Sequence, residues 1–298
     1  YTSPPKPPDD GPRPQPKLHH LDGRDPWLGE DNAVLVVFEA TGAYHRGLER
    51  YLSLAGQRFI KVNPKQARRF AQAIGRLAKT DRVDAKMLAR MGVVLDLAPQ
   101  DIEGEDVHDL KELLTARRAL VKDQITAKTR LATASNLLVK DQLRRRIDDI
   151  DTDIKALDQV IARIAKQRGT LDARIRRLMT IPGIGRLTAT TLVIDMPELG
   201  HLESKKIAAL AGLAPMTQQS GKWQGKERII GGRASLRRAI YMPALVAIRF
   251  NHDFRDKYQQ LVTAGKAKKV AITAIMRRII VLANTLLREG RDWQPKRP

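Results

Sequence analysis

The sequence contains no cysteine, which excludes disulfide scaffolds, cysteine-ligated zinc fingers and thiol nucleophiles together. Aromatic residues make up only 4% of it, too few for a surface that binds single strands mainly by stacking bases. No apolar run approaches the roughly 20 residues of a membrane-spanning helix, and no secretory leader is visible. A cytoplasmic location with no membrane partner is therefore expected. Acid is scarce beside base: 33 Asp+Glu face 54 Lys+Arg, a formal net charge of +21. Such a field calls for a polyanionic partner, nucleic acid being the obvious one and a membrane surface its competitor. At 298 residues the chain can hold two domains, each burying a core.

Eight of the sixteen prolines fall within residues 1–32, a composition that cannot build a core and predicts a disordered lead. The adjacent His19 and His20 read as polar linker, since two histidines without further ligands seldom make a metal site. A start at Tyr1 rather than methionine suggests a fragment or a trimmed chain. Order is expected from residue 33. AVLVVFEA is an apolar run of strand length ending in Glu39, and reads as a buried strand of a mixed or parallel sheet. A helix through Tyr44, Leu48, Tyr51 and Leu52 follows, then a second strand (RFIKVN), then a cationic helix opened by Pro64. Asp81 and Asp84 come next, three apart on an expected helix and so on one face. Carboxylates at a strand end and on a neighbouring helix can converge on a divalent cation. Taken alone, with Lys79, Arg82 and Lys86 interleaved, the two aspartates read rather as a helix cap and a solvated face. Strands alternating with helices make residues 33–100 an α/β domain.

Residues 101–179 read as a helical middle. Nothing from Val107 to Leu138 is Gly or Pro, and from Leu143 the apolar steps alternate four and three through Ile147, Ile150, Ile154, Leu157, Ile161 and Ile164. That spacing argues a coiled coil, either an antiparallel hairpin or a dimer seam. Gly169 is expected to interrupt it, leaving a separate helix over Leu171–Met179. The cluster Arg144–Arg146 suits a nucleic-acid contact or a solvated turn between two helices.

Residues 180–298 carry most of the charge, with 21 Lys+Arg against 8 Asp+Glu from Ile181 onward. Pro182-Gly183-Ile184-Gly185 lies between two predicted helices and suits the hairpin of a helix-hairpin-helix motif. There Gly183, Gly185 and the following helix N-terminus would cradle a DNA phosphate without reading sequence; a plain helix turn is the alternative. A helix from Ser204 then leads to GLAPMTQQSGKWQGKERIIGGRASLRRAIY. This stretch sets Ser220 beside Gly221 in a polar loop, with Lys222 and Lys226 behind it. A Gly231-Gly232 turn and a short basic helix bearing Arg233, Arg237 and Arg238 follow. A hydroxyl ringed by cations suits attack on a phosphodiester; a Ser-Gly turn with solvated lysines is the plainer alternative. Lys268 and Lys269 on the last long helix complete the expected nucleic-acid footprint.

Two sets of motifs, in order, resemble one family. The first is V-x-E-A-T-G (Val37–Gly42), a cationic helix and K-T-D-x-x-D-A (Lys79–Ala85). The second is T-I-P-G-I-G (Thr180–Gly185), A-G-L-A-P (Ala211–Pro215), Ser220-Gly221, G-R-A-x-L-R-R-A-x-Y-M (Gly232–Met242) and G-K-x-K-K-V-A (Gly265–Ala271). Together they resemble the DEDD transposases of the insertion-sequence 110 family over residues 33–293. The resemblance implies a partial RuvC-like (RNase H-like) α/β domain, a coiled-coil link that joins subunits, and a mainly α transposase domain with a helix-hairpin-helix. It implies that Glu39, Asp81 and Asp84 are three of four acidic residues holding Mg²⁺, and that Ser220 is the nucleophile that becomes joined to DNA. It further implies guidance by a structured (bridge) RNA and action on DNA in a bacterial nucleoid. The family's first acidic residue comes from an earlier strand; Asp22, Asp25 and Asp31 sit in no strand-like context and none is assigned. The expected function is DNA transposition or recombination. The alternatives are an impaired copy that only binds DNA or RNA, and a metal-dependent junction nuclease with no need of Ser220.

Overall fold

A computed structural model describes residues 34–42, 44–75, 80–100, 104–217, 219–220, 223–225 and 227–295. The prolines, histidines and aspartates of the amino-terminal lead lie outside the described residues, as do Gly221, Lys222 and Lys226. The chain divides into two compact units, one up to Gly104 and one from Glu105 onward.

In the first unit, β1 (Val36–Glu39) pairs in parallel with β2 (Phe59–Val62), in a register that sets Glu39 beside Val62. Parallel neighbours need a crossover, supplied by α1 (His45–Leu54). The sheet is parallel as the apolar run predicts, but only Phe38 of β1 is buried: Val36, Val37 and Glu39 are half-buried, and Val34 and Leu35, ahead of the strand, are exposed. On α1 only part of the predicted apolar face is used. Leu52 is buried with Phe38 and Phe59, whereas Tyr44 is 92% exposed and Tyr51 is also exposed. Their hydroxyls make exposure cheap, and the leucine takes the core position. Glu49 on α1 is buried and answered by Lys61 Nζ of β2 at 2.6 Å. The helix α2 (Pro64–Ala73) begins where Pro64 predicts, with the Asn63 side chain accepting from the Lys65 N–H at 2.9 Å. The helix α3 (Asp81–Val94) closes the unit, burying Met87 and Met91 against Ile60, Val62 and Ala67.

The second unit opens with two long helices, α4 (Glu105–Thr133) and α5 (Leu137–Gln167). The Asn136 side chain caps the second by accepting from the Leu138 and Val139 N–H groups. They pack against each other as an antiparallel hairpin. Arg117 meets Asp158 in a two-point ion pair (2.6 and 3.0 Å), Gln124 donates to Asp151, and Arg168, just past α5, meets Asp106 at 2.7 Å. These pairs keep a nearly constant offset about the turn, as antiparallel register requires. Of the two arrangements that the apolar spacing allows, the described chain adopts the hairpin. The cluster Arg144–Arg146 does not form the turn. It lies within α5, because Asn136, not the basic run, supplies the cap that starts the helix.

Beyond Arg168 follow α6 (Gly169–Met179), α7 (Arg186–Asp195) and α8 (Ser204–Leu210), the last beginning at the residue that the sequence indicates. Two short antiparallel ladders come next: β3 (Pro215–Met216) pairs with β6 (Arg228–Ile229), and β4 (Gln219–Ser220) with β5 (Trp223–Gln224). The region read as a loop is thus, in its described parts, a nested β-ribbon. It leads into α9 (Ala234–Phe250), α10 (His252–Thr263) and α11 (Lys268–Glu289). The helix after the glycine pair is not short. It runs on through Pro243, since Leu236 and Ile240 before the proline and Ala244 and Ala247 after it are all fully buried on one face. That burial offsets the roughly 3 kcal/mol that an interior proline costs.

One core serves this whole unit. Leu110, Leu114, Ile161 and Ala165 of the long hairpin belong to the same cluster as Ile175, Leu192, Ile207, Ile240 and Ile279. The helical middle and the carboxy-terminal third, separate by composition, are therefore one packed body. Among the described residues α11 alone is long and apolar enough to cross a membrane. Ala271, Ile275, Ile279, Ile280, Ala283 and Leu286 bury that apolar surface in the core, and Asn284 donates to Leu202 O and accepts from the Gly200 N–H. It is a core helix.

Candidate functional site

The acidic candidates occupy the first unit. Glu39 is the last residue of β1, half-buried, and its Oε1 accepts a hydrogen bond from Thr41 Oγ1 at 2.6 Å. Asp81 and Asp84 both stand in the first turn of α3, where the helix dipole favours negative charge. The Thr80 hydroxyl caps that turn by accepting from the Val83 N–H. The helix lies close on β1: a Cβ on Gly92 would come within 3.0 Å of Val37 Cγ2. The fold thus packs the helix bearing two carboxylates against the strand that ends in the third. All three are hard oxygen donors, the chemistry a divalent cation takes. Among the described residues, however, no three His, Cys, Asp or Glu groups come together at metal-binding spacing. The donors suit a divalent ion in kind without forming a gathered cluster.

The serine candidate is in the second unit. Ser220 is the last paired residue of β4, opposite Trp223. The ends of its ribbon meet in a crossing of three glycines, Gly212, Gly231 and Gly232, all in the left-handed region of backbone space. A Cβ on Gly232 would stand 2.2 Å from Gly212 Cα, and one on Gly212 would stand 2.7 Å from Gly231 O; no side chain fits. The Arg233 N–H donates to Leu210 O at 2.9 Å. Arg237 Nη1 donates to Gly231 O at 2.7 Å and to Gly212 O at 3.5 Å.

Arg233 is not a free cation. Its guanidinium grips Glu198 with Nη1 at 2.7 Å from Oε2 and Nη2 at 2.6 Å from Oε1. Burial works against the charge on Glu198, but the hydrogen bonds and charge of Arg233, helped by a backbone hydrogen bond and Lys111, outweigh it. The carboxyl is held below its usual range. Burial likewise lowers the Arg174 guanidinium from its usual value. In the sequence Glu198 is one acid in a Pro-Glu-Leu-Gly turn, with no local sign that Arg233 pairs with it.

The Pro182–Gly185 turn joins α6 to α7, but its glycines differ. Gly183 (φ +88°) is pressed on α9: a Cβ there would lie 2.5 Å from Pro243 O and 3.2 Å from Ala247 N. Gly185 is exposed, caps α7 with ordinary backbone (φ −85°), and has open space where a Cβ would stand. The next residue, Arg186, is tied to the buried Asp172 at 3.0 Å. Of the pair, only Gly185 faces outward.

The other cations sit along α9 and α11. A groove of about 510 Å³ between these helices is lined by Arg237, Arg238 and Lys269, with Ala234, Tyr241, Thr273 and Met276. Arg238, Lys268 and Lys269 are exposed, as a phosphate-facing rim would be.

Comparison with known proteins matches two family models to successive parts of the chain. A family model described as "Transposase IS116/IS110/IS902 family" matches residues 175–259, and a transposase model of the DEDD type found in IS110 elements matches residues 13–139. The chain is similar to the pilin gene-inverting proteins of Moraxella lacunata and Moraxella bovis, each 30% identical over 265 residues, covering 88% of this chain and 82% of theirs. It is also similar to an uncharacterized 43.6 kDa protein of insertion element IS110 from Streptomyces coelicolor. That match is 26% identical over 166 residues, half of this chain and 40% of the other.

Proposed function

Since the chain belongs to the IS116/IS110/IS902 family of transposases and is a DNA transposase/recombinase, we propose that Ser220 is its nucleophile, that Glu39, Asp81 and Asp84 hold Mg²⁺, and that a structured guide RNA selects the DNA. A transposase binds DNA, and a DEDD domain uses a divalent metal; the residue roles, the identity of the ion and the RNA are the proposed parts. The observation that carries the reading is the ribbon. It presents Ser220 at the last paired position of β4, on a neck fixed to the core by Arg233 and Arg237.

In the reaction, Ser220 Oγ attacks the phosphorus of a DNA phosphodiester. A P–O bond to a deoxyribose oxygen breaks, the freed oxygen leaves as a hydroxyl, and the phosphate remains on serine as a diester. The serine proton passes to solvent or to the leaving oxygen, so no external energy source is needed and reversal onto a second strand rejoins DNA. Bound Mg²⁺ would supply charge stabilisation at the phosphate oxygens. Arg238, Lys268, Lys269, Lys222, Lys226 and the α7 N-terminus at Gly185 would hold backbone phosphates without reading bases, and pairing with RNA would supply specificity as in other guided systems. Homo-oligomers would form through the α4–α5 hairpin, whose tip leaves Leu137 74% and Leu138 66% exposed, and acidic and serine residues of different subunits would complete one site.

The test is to express the chain with the DNA flanking its gene and recover covalent protein–DNA adducts on denaturing gels. Ser220→Ala should abolish the adduct, and Glu39→Gln should slow its formation by about 10²-fold or more, the scale of losing charge stabilisation at a transferring phosphate. Adducts that persist in Ser220→Ala refute the nucleophile, and an unchanged rate in Glu39→Gln refutes the metal role.

A further inference from the structure

We propose that Glu198, Arg233 and Arg237 are positioning residues for strand transfer, acting as a clamp that fixes the serine ribbon to the core; the proposal rests on the reading of Ser220 as nucleophile.

The need for a clamp follows from the ribbon itself. Its two ladders are each two residues long, and an isolated two-stranded ribbon is marginal in water. A nucleophile, by contrast, must be held within roughly 0.5 Å of its working position, and a misplacement of about 1 Å can cost about 10²-fold in rate. The precision has to come from outside the ribbon, and its neck supplies it. Gly212, Gly231 and Gly232 let the two ends of the ribbon touch backbone to backbone. Arg237 then bridges the carbonyls of both ends. Arg233, the residue that starts α9, is fastened at its N–H to Leu210 O and at its guanidinium to Glu198. Glu198 lies in a short segment anchored by Met196 and Leu199, both fully buried, so the two-point grip of Arg233 on it ties the neck to the core.

The same geometry redirects the reading of Arg233. As a phosphate ligand its charge would be unopposed, yet here both Nη atoms are spent on a carboxylate. A planar two-point grip of this kind fixes orientation as well as distance. The two roles make opposite forecasts for Glu198. If Arg233 grips DNA, removing the Glu198 charge releases a cation and strengthens binding with the reaction intact. If Arg233 positions the ribbon, removing that charge leaves binding intact and slows the reaction.

The experiment uses the full chain. Glu198→Gln, Arg233→Gln and the exchanged pair Glu198→Arg with Arg233→Glu are compared for adduct formation on the gene's flanking DNA. Affinity for a mixed-sequence duplex is measured at several salt concentrations, and amide hydrogen exchange is followed across residues 213–230. Each single variant should form adduct about 10²-fold more slowly, with duplex affinity and its salt dependence unchanged and exchange in the ribbon accelerated. The exchanged pair should recover at least tenfold of the lost rate, which loss of a folded scaffold would not allow. The proposal is overturned if Arg233→Gln lowers duplex affinity and salt slope while Glu198→Gln reacts at the parental rate. Should Ser220→Ala still form adduct, the nucleophile reading fails separately, and the clamp then stands or falls on the exchange data: unchanged exchange in both single variants refutes it.

Discussion

Alanine at the two glycines of the Pro182–Gly185 turn separates packing from phosphate binding. At Gly183 the backbone is left-handed (φ +88°), and an added Cβ would lie 2.5 Å from the carbonyl oxygen of Pro243. The left-handed conformation costs a side chain about 1–2 kcal/mol. Relief of a backbone clash in a packed interior costs about 1–3 kcal/mol more, so Gly183→Ala should lose about 2–5 kcal/mol. For a unit of this size each kcal/mol lowers the midpoint by about 2–4 °C, giving a fall of about 4–20 °C in thermal unfolding followed by far-ultraviolet circular dichroism. At Gly185 the backbone is ordinary and the space open, so Gly185→Ala should lose only the roughly 1 kcal/mol or less that alanine costs at a helix N-cap, a fall of no more than about 4 °C. If it lines a phosphate site, its loss appears chiefly as weaker duplex binding. A Gly183→Ala protein with the parental midpoint would refute the close packing of this turn on α9. One that kept stability but lost duplex affinity would return Gly183 to the DNA.

Two further outcomes follow from charge. Arg238→Ala and Lys269→Ala should each weaken mixed-sequence duplex binding and reduce the slope of log affinity against log salt by about 0.9, with thermal midpoints unmoved; an unchanged slope in both would remove the α9–α11 rim from the interface. The Glu198 carboxyl is held below its usual range by Arg233, so the stability it lends is complete above the unfolded value near about 4.3 and is lost as pH falls through the lower folded value. The midpoint difference between parent and Glu198→Gln should therefore be constant near neutrality and shrink only on acidification below about pH 4; a difference independent of pH down to the acid unfolding limit would contradict it.

Where the sequence was legible, one local signal decided the outcome. The helix after β2 starts at Pro64, where Asn63 caps it, because caps and prolines act within a turn of themselves. The alternation from Leu143 onward predicted a paired helix because a seam needs its period to persist. What stayed hidden depended on contacts distant in sequence. Pro243 reads as a break, and only the burial of Leu236, Ile240, Ala244 and Ala247 on one face carries α9 past it. Arg233 reads as one more cation in a basic run, and nothing local says that an acid 35 positions earlier claims it. The single core shared by the hairpin and the last helices is of the same kind, since Leu110 and Ile279 give no mutual sign until both are buried. For the candidate site, the acidic and serine motifs were legible as types and order, and the glycine crossing that holds the ribbon was not.

The long hairpin has one more consequence, for how such a chain can change length. Its cross-links at Arg117–Asp158, Gln124–Asp151 and Arg168–Asp106 hold the two arms in one register from the tip to the base. With the foot held in the core, one residue inserted in a single arm would slide every link between the insertion and the tip by a step, and turn side chains about 100° off the seam. Equal additions to both arms leave all of them intact, and one heptad in each would carry the tip outward by about 10.5 Å. The hairpin is thus an adjustable strut: its span can be reset in paired steps while the core at its foot, and the serine ribbon beyond it, keep their geometry.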